Sequence, residues 1–127
     1  MVVIDASAWV EYFDGTKAGK KVADILDNKE NEIHVNVITI AELAGLYKKK
    51  NISFEEPKKI LFSMSSIYTI NTPFAEEAGV LYAELRPSRK KLSLADAFVL
   101  LTAKKLSAKL VTGDEDFRGM KEVVMIR

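Results

Sequence analysis

Short apolar segments rich in β-branched residues alternate along the chain with longer segments in which apolar residues recur every three or four positions. The short segments are typical of buried strands, and the longer ones have the period of amphipathic helices. We predict five strands, at residues 2–4, 33–37, 67–70, 110–112 and 123–126. We predict six helices, at residues 7–13, 17–28, 40–50, 54–64, 73–85 and 94–106. This alternation favours an α/β fold, a three-layer α/β/α sandwich around a parallel sheet of four to five strands.

Composition and charge narrow the function classes. The 127 residues are enough to bury a core and predict one domain over residues 1–127. The net charge of +1 favours no class of partner, and the absence of cysteine excludes disulfides, thiolate metal sites and a cysteine nucleophile. No apolar run approaches the roughly 18 residues of a membrane span. Asp5 comes too early for a signal-peptide apolar region. We therefore expect a soluble, cytoplasmic protein with no membrane partner.

Two acidic residues follow predicted strands. Asp5 comes directly after the first strand, and Asp114 lies two residues beyond Thr112, at the end of the fourth. Ligands of open α/β sheets bind beyond the carboxyl ends of the strands, where the strand order reverses. Each acid also has a structural alternative, because Asp5 could cap the following helix and Asp114 could belong to a Thr-Gly-Asp turn.

Two further acids are predicted in the first turn of a helix. Glu42 ends the segment TIAE and Asp96 ends the segment SLAD, and both segments have the form Ser/Thr-x-x-acid. This form is typical of the helix capping box, in which the acid bonds the backbone of the first residue. For Glu42 the capping and functional interpretations are about equally favoured. For Asp96 the capping interpretation is weaker, because Glu or Gln is preferred at that position.

Capping alone does not explain why four acids converge on one edge of the predicted domain. Crowded carboxylates repel and raise one another's pKa values unless a cation lies among them. Oxygen ligands without a nearby histidine or cysteine favour Mg²⁺ or Mn²⁺ over zinc. Such a site can activate a bound water and stabilise charge on a phosphodiester. The single histidine, His34, lies in a predicted strand, where a structural role is favoured, and the chain offers no Ser/His/Asp triad.

Four short segments, in this order and spacing, together cover nearly the whole chain. They are VIDAS at residues 3–7, ITIAEL at residues 38–43, LADA at residues 94–97 and LVTGDEDF at residues 110–117. Each segment is a weak signal alone, but the set resembles the PIN-domain nucleases and, among them, the VapC-like toxins of toxin–antitoxin pairs. The resemblance implies the strand order 3-2-1-4-5, in which the first and fourth strands are neighbours and the order reverses between them.

The same resemblance implies the chemistry and the partners. It implies a metal-dependent endoribonuclease that acts as the toxin of a type II toxin–antitoxin system, forms a homodimer and is inhibited by a cognate antitoxin. It also implies a catalytic, Mg²⁺- or Mn²⁺-binding cluster of Asp5, Glu42, Asp96 and Asp114. By the same resemblance Asp116 is an auxiliary acid, and Ser7 and Thr112 hydrogen-bond the carboxylates or the substrate phosphate.

Basic residues precede the helix that carries Asp96. Arg86, Arg89, Lys90 and Lys91 lie in the segment leading into it. Basic side chains beside an acidic metal site fit binding of the RNA phosphate backbone, and a solvated loop is the alternative.

Two other clusters admit more than one interpretation. The aromatic residues Trp9, Tyr12 and Phe13 could stack on bases, but packing in the core or between subunits is favoured. The lysines at residues 48–50 follow a predicted helix, where they favour compensation of the helix dipole over nucleic-acid binding.

Two rival functions stay open. An Asp-x-Ser sequence after a strand resembles the phosphoaspartate phosphatases, in which the first Asp is the nucleophile. Those enzymes need a second acid where this chain has Ser7. The other rival is a PIN-like fold kept as a non-catalytic module that binds RNA or protein, and the intact acidic set counts against it.

Overall fold

The strands of the protein form one parallel sheet. The computed structural model describes all residues, 1–127. Its strands are β1 (Val2–Ile4), β2 (Ile33–Asn36), β3 (Ser66–Tyr68), β4 (Lys109–Thr112) and β5 (Val123–Met125). Their order is β3-β2-β1-β4-β5, and every neighbouring pair is parallel. The predicted strand order is therefore confirmed, and β1 and β4 lie side by side where the order reverses.

Helices cover both faces of this sheet. They are α1 (Ala6–Asp14), α2 (Lys17–Asp27), α3 (Val37–Lys49), α4 (Glu55–Met64), α5 (Thr72–Leu85) and α6 (Leu94–Leu106). A short 3₁₀ helix, Glu115–Phe117, follows β4 and was not predicted. The α/β/α sandwich is confirmed. No helix is long and apolar enough to cross a membrane.

Strand β1 divides the core between the two faces, because successive side chains of a strand point to opposite sides. Val2 and Ile4 join a buried cluster with Trp9 of α1 and Val22 of α2. Val3 joins a second cluster that includes Val99, Leu100 and Ala103 of α6. Both faces of this central strand are thus buried, as expected for an all-parallel sheet.

Helix α3 begins three residues earlier than predicted. Asn36 ends β2 and caps the helix, because its Oδ1 accepts a hydrogen bond from Ile38 N at 2.8 Å. The predicted strand through residue 37 and helix from residue 40 are therefore wrong at this boundary. Thr39 is buried inside α3 and Glu42 lies in its second turn, so the predicted capping box of these two residues does not form.

The aromatic residues of α1 contribute to the core. Trp9 is fully buried and stacks on Phe13, with ring centroids 5.6 Å apart. Tyr12 and Phe13 are partly buried against the same cluster. Core packing, the favoured interpretation, is confirmed for Trp9. His34 has a structural contact, because its Nε2 lies 3.0 Å from Glu32 Oε1.

Candidate metal centre

Asp5 is the buried member of the acidic set. It follows β1 directly and is 6% exposed. Its Oδ1 accepts hydrogen bonds from Ala8 N at 3.0 Å and Ser7 Oγ at 2.8 Å, and its Oδ2 accepts one from Thr112 Oγ1 at 2.5 Å. Asp5 is therefore the N-cap of α1, as the structural alternative predicted. A carboxylate has about four lone-pair sites, so this capping leaves Oδ2 able to accept a further ligand.

Two hydroxyls join the loop after β1 to the loop after β4. Ser7 Oγ accepts a hydrogen bond from Gly113 N at 3.0 Å and lies 3.3 Å from Thr112 Oγ1. Thr112 Oγ1 in turn accepts a hydrogen bond from Asp114 N at 2.9 Å. Ser7 and Thr112 thus bond the Asp5 carboxylate on one side and the backbone beside Asp114 on the other.

Three acids from two separate segments meet at the same edge of the sheet. Asp96, Asp114 and Asp116 each offer a carboxylate oxygen, and these oxygens lie within 4.8 Å of one another. We call these three residues the acidic trio. Asp114 caps the 3₁₀ helix, because its Oδ1 accepts a hydrogen bond from Asp116 N at 2.9 Å. Asp116 belongs to the trio, although the resemblance gave it only an auxiliary role. Asp5 and Glu42 lie outside the trio but near enough to interact electrostatically with Asp114.

Asp96 also caps α6. Ser93 Oγ accepts a hydrogen bond from Asp96 N at 3.0 Å, and Asp96 Oδ2 accepts one from Ser93 N at 2.9 Å. This is a complete capping box. The sequence pattern favoured capping less at Asp96 than at Glu42, and that expectation is wrong. The box uses one of the carboxylate's roughly four lone-pair sites, so Asp96 can still accept a ligand. Capping and ligation are compatible at this residue.

Four acids at this edge, Asp5, Glu42, Asp96 and Asp116, have raised pKa values. Burial raises the pKa of Asp5 to about 6, and hydrogen bonds from Thr112, Ala8 and Ser7 offset only part of this rise. Desolvation and the negative charges of the other acids raise the pKa of Glu42 to about 7, although part of this residue is open to solvent. Desolvation also raises the pKa of Asp96 and of Asp116. None of these side chains forms an ion pair.

This arrangement fits a divalent cation. The ligands are oxygens only, and the trio oxygens lie within 4.8 Å. Three carboxylate oxygens this close together could be ligands of one hard divalent cation. A cation bound there would also offset the desolvation and repulsion that raise the pKa values of Glu42 and Asp96. Carboxylate oxygens of this kind are typical ligands of hard divalent cations.

The predicted substrate-binding residues divide into two kinds. The Arg89 guanidinium donates to the backbone carbonyls of Asp116 and Arg118, each at 2.9 Å. Arg86 also donates to a backbone carbonyl, that of Lys90, and its guanidinium lies 5.7 Å from the centre of the Tyr82 ring.

The two lysines differ from the arginines in being exposed, and their side chains form no hydrogen bond or ion pair in the protein. Lys90 and Lys91 line an open cavity of about 240 Å³ that also contacts Asp116. The structure therefore brings this basic segment directly beside the acidic trio.

One residue of the site region had no role in the sequence analysis. Arg127 Nε donates to Gly113 O at 3.0 Å, and Arg127 Nη1 donates to Glu11 Oε1 at 2.7 Å. These partners are 14 and 116 positions away along the chain. No local pattern could have indicated them.

Comparison with known proteins agrees with this fold. Residues 2–123 match the PIN domain family. No significant match was found among curated protein sequences. A chain of a toxin–antitoxin complex from Klebsiella pneumoniae is similar to this one, with a TM-score of 0.78 and 25% identity, and the match covers 100% of this chain and 98% of that one.

Two more distant structures share the fold. VapBC2 from Rickettsia felis, bound to a DNA fragment from its promoter, has a TM-score of 0.71 and 20% identity over 98% of this chain and 97% of that one. The Mycobacterium tuberculosis toxin VapC20, which cleaves the sarcin-ricin loop, has a TM-score of 0.76 and 14% identity over 95% of each chain. The resemblance recognised in the sequence is confirmed: because the family match spans residues 2–123, the chain belongs to the PIN domain family.

Proposed function

We propose that this protein is a metal-dependent endoribonuclease that hydrolyses RNA phosphodiester bonds. The observation that carries the proposal is the acidic trio of Asp96, Asp114 and Asp116, whose oxygens lie within 4.8 Å at the carboxyl edge of the sheet. Asp5 and Glu42 add two carboxylates, and desolvation raises the pKa of both, with the negative charges of the other acids adding to the rise at Glu42. Membership of the PIN domain family supports a nuclease over the other uses of such a site.

In this proposal Asp5, Asp96 and Asp114 hold Mg²⁺ or Mn²⁺, with Asp116 as a further acid of the same group. A divalent ion held there supplies an activated water and neutralises the charge that grows on the phosphate. Glu42 completes the ligation or orients the attacking water. Ser7 and Thr112 hold the Asp5 carboxylate in one orientation through their hydrogen bonds.

RNA approaches this centre over the basic segment. Lys90 and Lys91 are free to contact phosphates, because they are exposed and have no ion-pair partner in the protein. Arg86 and Arg89 belong to the same surface but donate to backbone carbonyls, so their first contribution is to shape it. Phosphate contacts of this kind position a substrate without reading its sequence.

The proposed partners are an antitoxin and a second copy of the chain. The Klebsiella pneumoniae chain with 25% identity comes from a toxin–antitoxin complex, which supports the role of a type II toxin. We propose that the protein acts in the cytoplasm as one PIN-like domain over residues 1–127, and as a homodimer. Sedimentation analysis of the purified protein, alone and co-expressed with the protein encoded beside it, tests both partners.

The phosphatase alternative has less support. Asp5 is 6% exposed, and both of its oxygens accept hydrogen bonds. A nucleophilic aspartate has to reach the phosphorus atom of its substrate, whereas this carboxylate is held from three sides by its own loop and by β4. A phosphoaspartate adduct on wild-type protein that is lost in Asp5→Asn would nevertheless establish it.

End-group analysis of cleaved oligonucleotides tests the proposed reaction. Attack by water leaves a 5′-phosphate and a 3′-hydroxyl and does not use the ribose 2′-hydroxyl, so a 2′-deoxy substitution at the scissile position should be tolerated. Cleavage should stop in EDTA and in Asp96→Asn. A 2′,3′-cyclic phosphate formed equally well in EDTA and by Asp96→Asn would refute the proposal. RNA binding without any cleavage would instead indicate a non-catalytic module.

A further inference from the structure

Arg127 reaches the loop that carries Asp114 from outside the acidic set. The backbone bond from Ile126 N to Thr112 O, at 3.0 Å, places the end of β5 beside the end of β4. From there the Arg127 guanidinium donates to Gly113 O at 3.0 Å and to Glu11 Oε1 at 2.7 Å. One side chain thus joins the loop after β4 to helix α1.

Gly113 leaves the space that this guanidinium occupies. A Cβ added at Gly113 would lie 3.1 Å from Arg127 Nε and 3.2 Å from Cζ, and the three nearest atoms all belong to Arg127. Gly113 is not among the residues with positive φ, so an L side chain can adopt its backbone conformation. Glycine at this position therefore allows the guanidinium its close approach, and a Cβ would push it back by a few tenths of an ångström.

The peptide of Gly113 is held on both sides. Its N–H donates to Ser7 Oγ at 3.0 Å, and Ser7 Oγ donates to Asp5 Oδ1 at 2.8 Å. Its carbonyl accepts the hydrogen bond from Arg127, and the next residue is Asp114. We infer that Arg127 is a positioning residue, which fixes the Gly113 peptide and thereby the placement of Asp114 in the acidic trio. This inference rests on the proposed function, because the placement of Asp114 matters for activity only if the trio binds a metal ion.

The direction in which removal of Arg127 changes the affinity for a cation separates a positioning role from a purely electrostatic one. Arg127 carries a positive charge next to the loop that leads into Asp114, and its side chain is 54% exposed. If it acted through charge alone, its removal would tighten the binding of a cation, because a repelling charge would be lost. If it positions Asp114, its removal weakens cation binding, because the ligands are no longer held together. The two roles therefore predict opposite shifts.

Calorimetric titration with Mn²⁺ measures that shift. We expect Arg127→Ala to raise the dissociation constant for Mn²⁺ about fivefold, as for loss of one charge-assisted hydrogen bond at a partly exposed site. Arg127→Lys keeps the charge but presents a single ammonium in place of the guanidinium fork, so we expect an intermediate value. Lys21→Ala, which removes an exposed positive charge of α2 from the surface beside Arg127, is the matched control and should leave binding unchanged. Equal or tighter binding by Arg127→Ala overturns the inference.

A double-mutant cycle tests the contact itself. In the wild type, Gly113→Ala should weaken Mn²⁺ binding, because the new Cβ displaces the guanidinium. In Arg127→Ala the same substitution should have little further effect, because the atoms it would meet are gone. Additive effects of the two substitutions would show that Gly113 matters for another reason and would count against the inference.

Amide exchange in the metal-free protein separates this inference from the proposed function. The Asp114 and Asp116 amides donate to Thr112 Oγ1 and Asp114 Oδ1, so both report on the loop. We expect both to exchange about tenfold faster in Arg127→Ala, while the Val35 amide in the core of the sheet is unchanged. A wild type that binds no Mn²⁺ would end the proposed metal centre, and the exchange rates would still decide the role of Arg127. Unchanged protection at both amides would refute it.

Discussion

The Thr112 hydroxyl donates a hydrogen bond of 2.5 Å to Asp5 Oδ2 across the two neighbouring strands β1 and β4. These strands lie at the reversal of the strand order, where open α/β sheets place their ligand sites. A buried carboxylate needs such partners, because an unpaired polar group in the interior is costly. The same hydroxyl accepts a hydrogen bond from Asp114 N, so it serves two acids of the site.

Removing this hydroxyl should affect stability and metal binding together. Thr112→Val keeps the shape of the side chain but leaves Asp5 Oδ2 and the Asp114 amide without their partner. We expect a loss of about 1–3 kcal/mol in the free energy of unfolding, measured with urea, and weaker Mn²⁺ binding. Thr69→Val, at an exposed position, is the control and should change neither. Wild-type behaviour of Thr112→Val would show that the bond contributes nothing to the site.

The sequence predicted the positions of the site acids more accurately than the ends of the helices and strands around them. Asp5 and Asp114 could be placed because the apolar run before each of them ends within one or two residues, so the local pattern shows where the strand ends. The start of α3 could not be placed in this way. Residues 37–40 continue the β-branched pattern of β2. The boundary depends on Asn36, whose Nδ2 donates to Thr102 Oγ1 at 2.7 Å, 66 positions along the chain.

The parts of the site that local sequence patterns did not predict depend on contacts between segments that are distant along the chain. The acidic trio requires the start of α6 and the loop after β4 to meet, which the sequence predicted for Asp96 and Asp114 from their places at a helix start and a strand end, whereas Asp116 was indicated only by the family resemblance. Neither a local pattern nor that resemblance indicated the Arg127 contacts with Gly113 and Glu11. They exist because β5 ends beside β4, which follows from the folded sheet and not from any neighbouring residues.

The stability of the metal-free protein should fall as the pH rises. The pKa of Asp5 is raised in the folded protein, from an ordinary value of 3.8 to about 6, so its contribution to stability is complete below pH 4 and is lost as the pH passes 6. Glu42, with a pKa of about 7, acts in the same direction. A rise of two pKa units corresponds to about 3 kcal/mol.

Urea unfolding in EDTA, at pH 4 and at pH 8, measures this loss. Asp5→Asn keeps the capping geometry and cannot ionise, so its stability should fall by less over this range, with a difference from wild type of about 3 kcal/mol. Asp24→Asn, on the exposed side of α2, should behave as the wild type does. Parallel pH profiles for wild type and Asp5→Asn would mean that Asp5 is not protonated in the folded state near pH 6.

Binding of a divalent metal should reverse the loss of folding stability that ionisation of Asp5 and Glu42 causes at high pH. At pH 8, Mn²⁺ at ten times its dissociation constant stabilises the folded state by about 1.4 kcal/mol, which for a chain of this size raises the melting temperature by about 4 °C. Asp114→Asn should lose this response, whereas Asp24→Asn should keep it. The rise should be smaller at pH 5, where protons compete for Asp5 and Glu42. Absence of binding at millimolar Mn²⁺ in calorimetry would contradict the proposed centre.

The basic segment should contribute to RNA affinity through charge. Lys90 and Lys91 are exposed beside Asp116, so replacing both with alanine should weaken RNA binding to a similar extent for all sequences. Each lost phosphate contact lowers the slope of log affinity against log salt by about 0.7 for single strands, so the double variant should lose about 1.4. Asp96→Asn, as the background, prevents cleavage during the titration. A double replacement of Lys48 and Lys49, at the far end of α3, is the charge-matched control. An unchanged slope in Lys90→Ala/Lys91→Ala would assign the segment to solvent, because counterion release is the step that salt opposes.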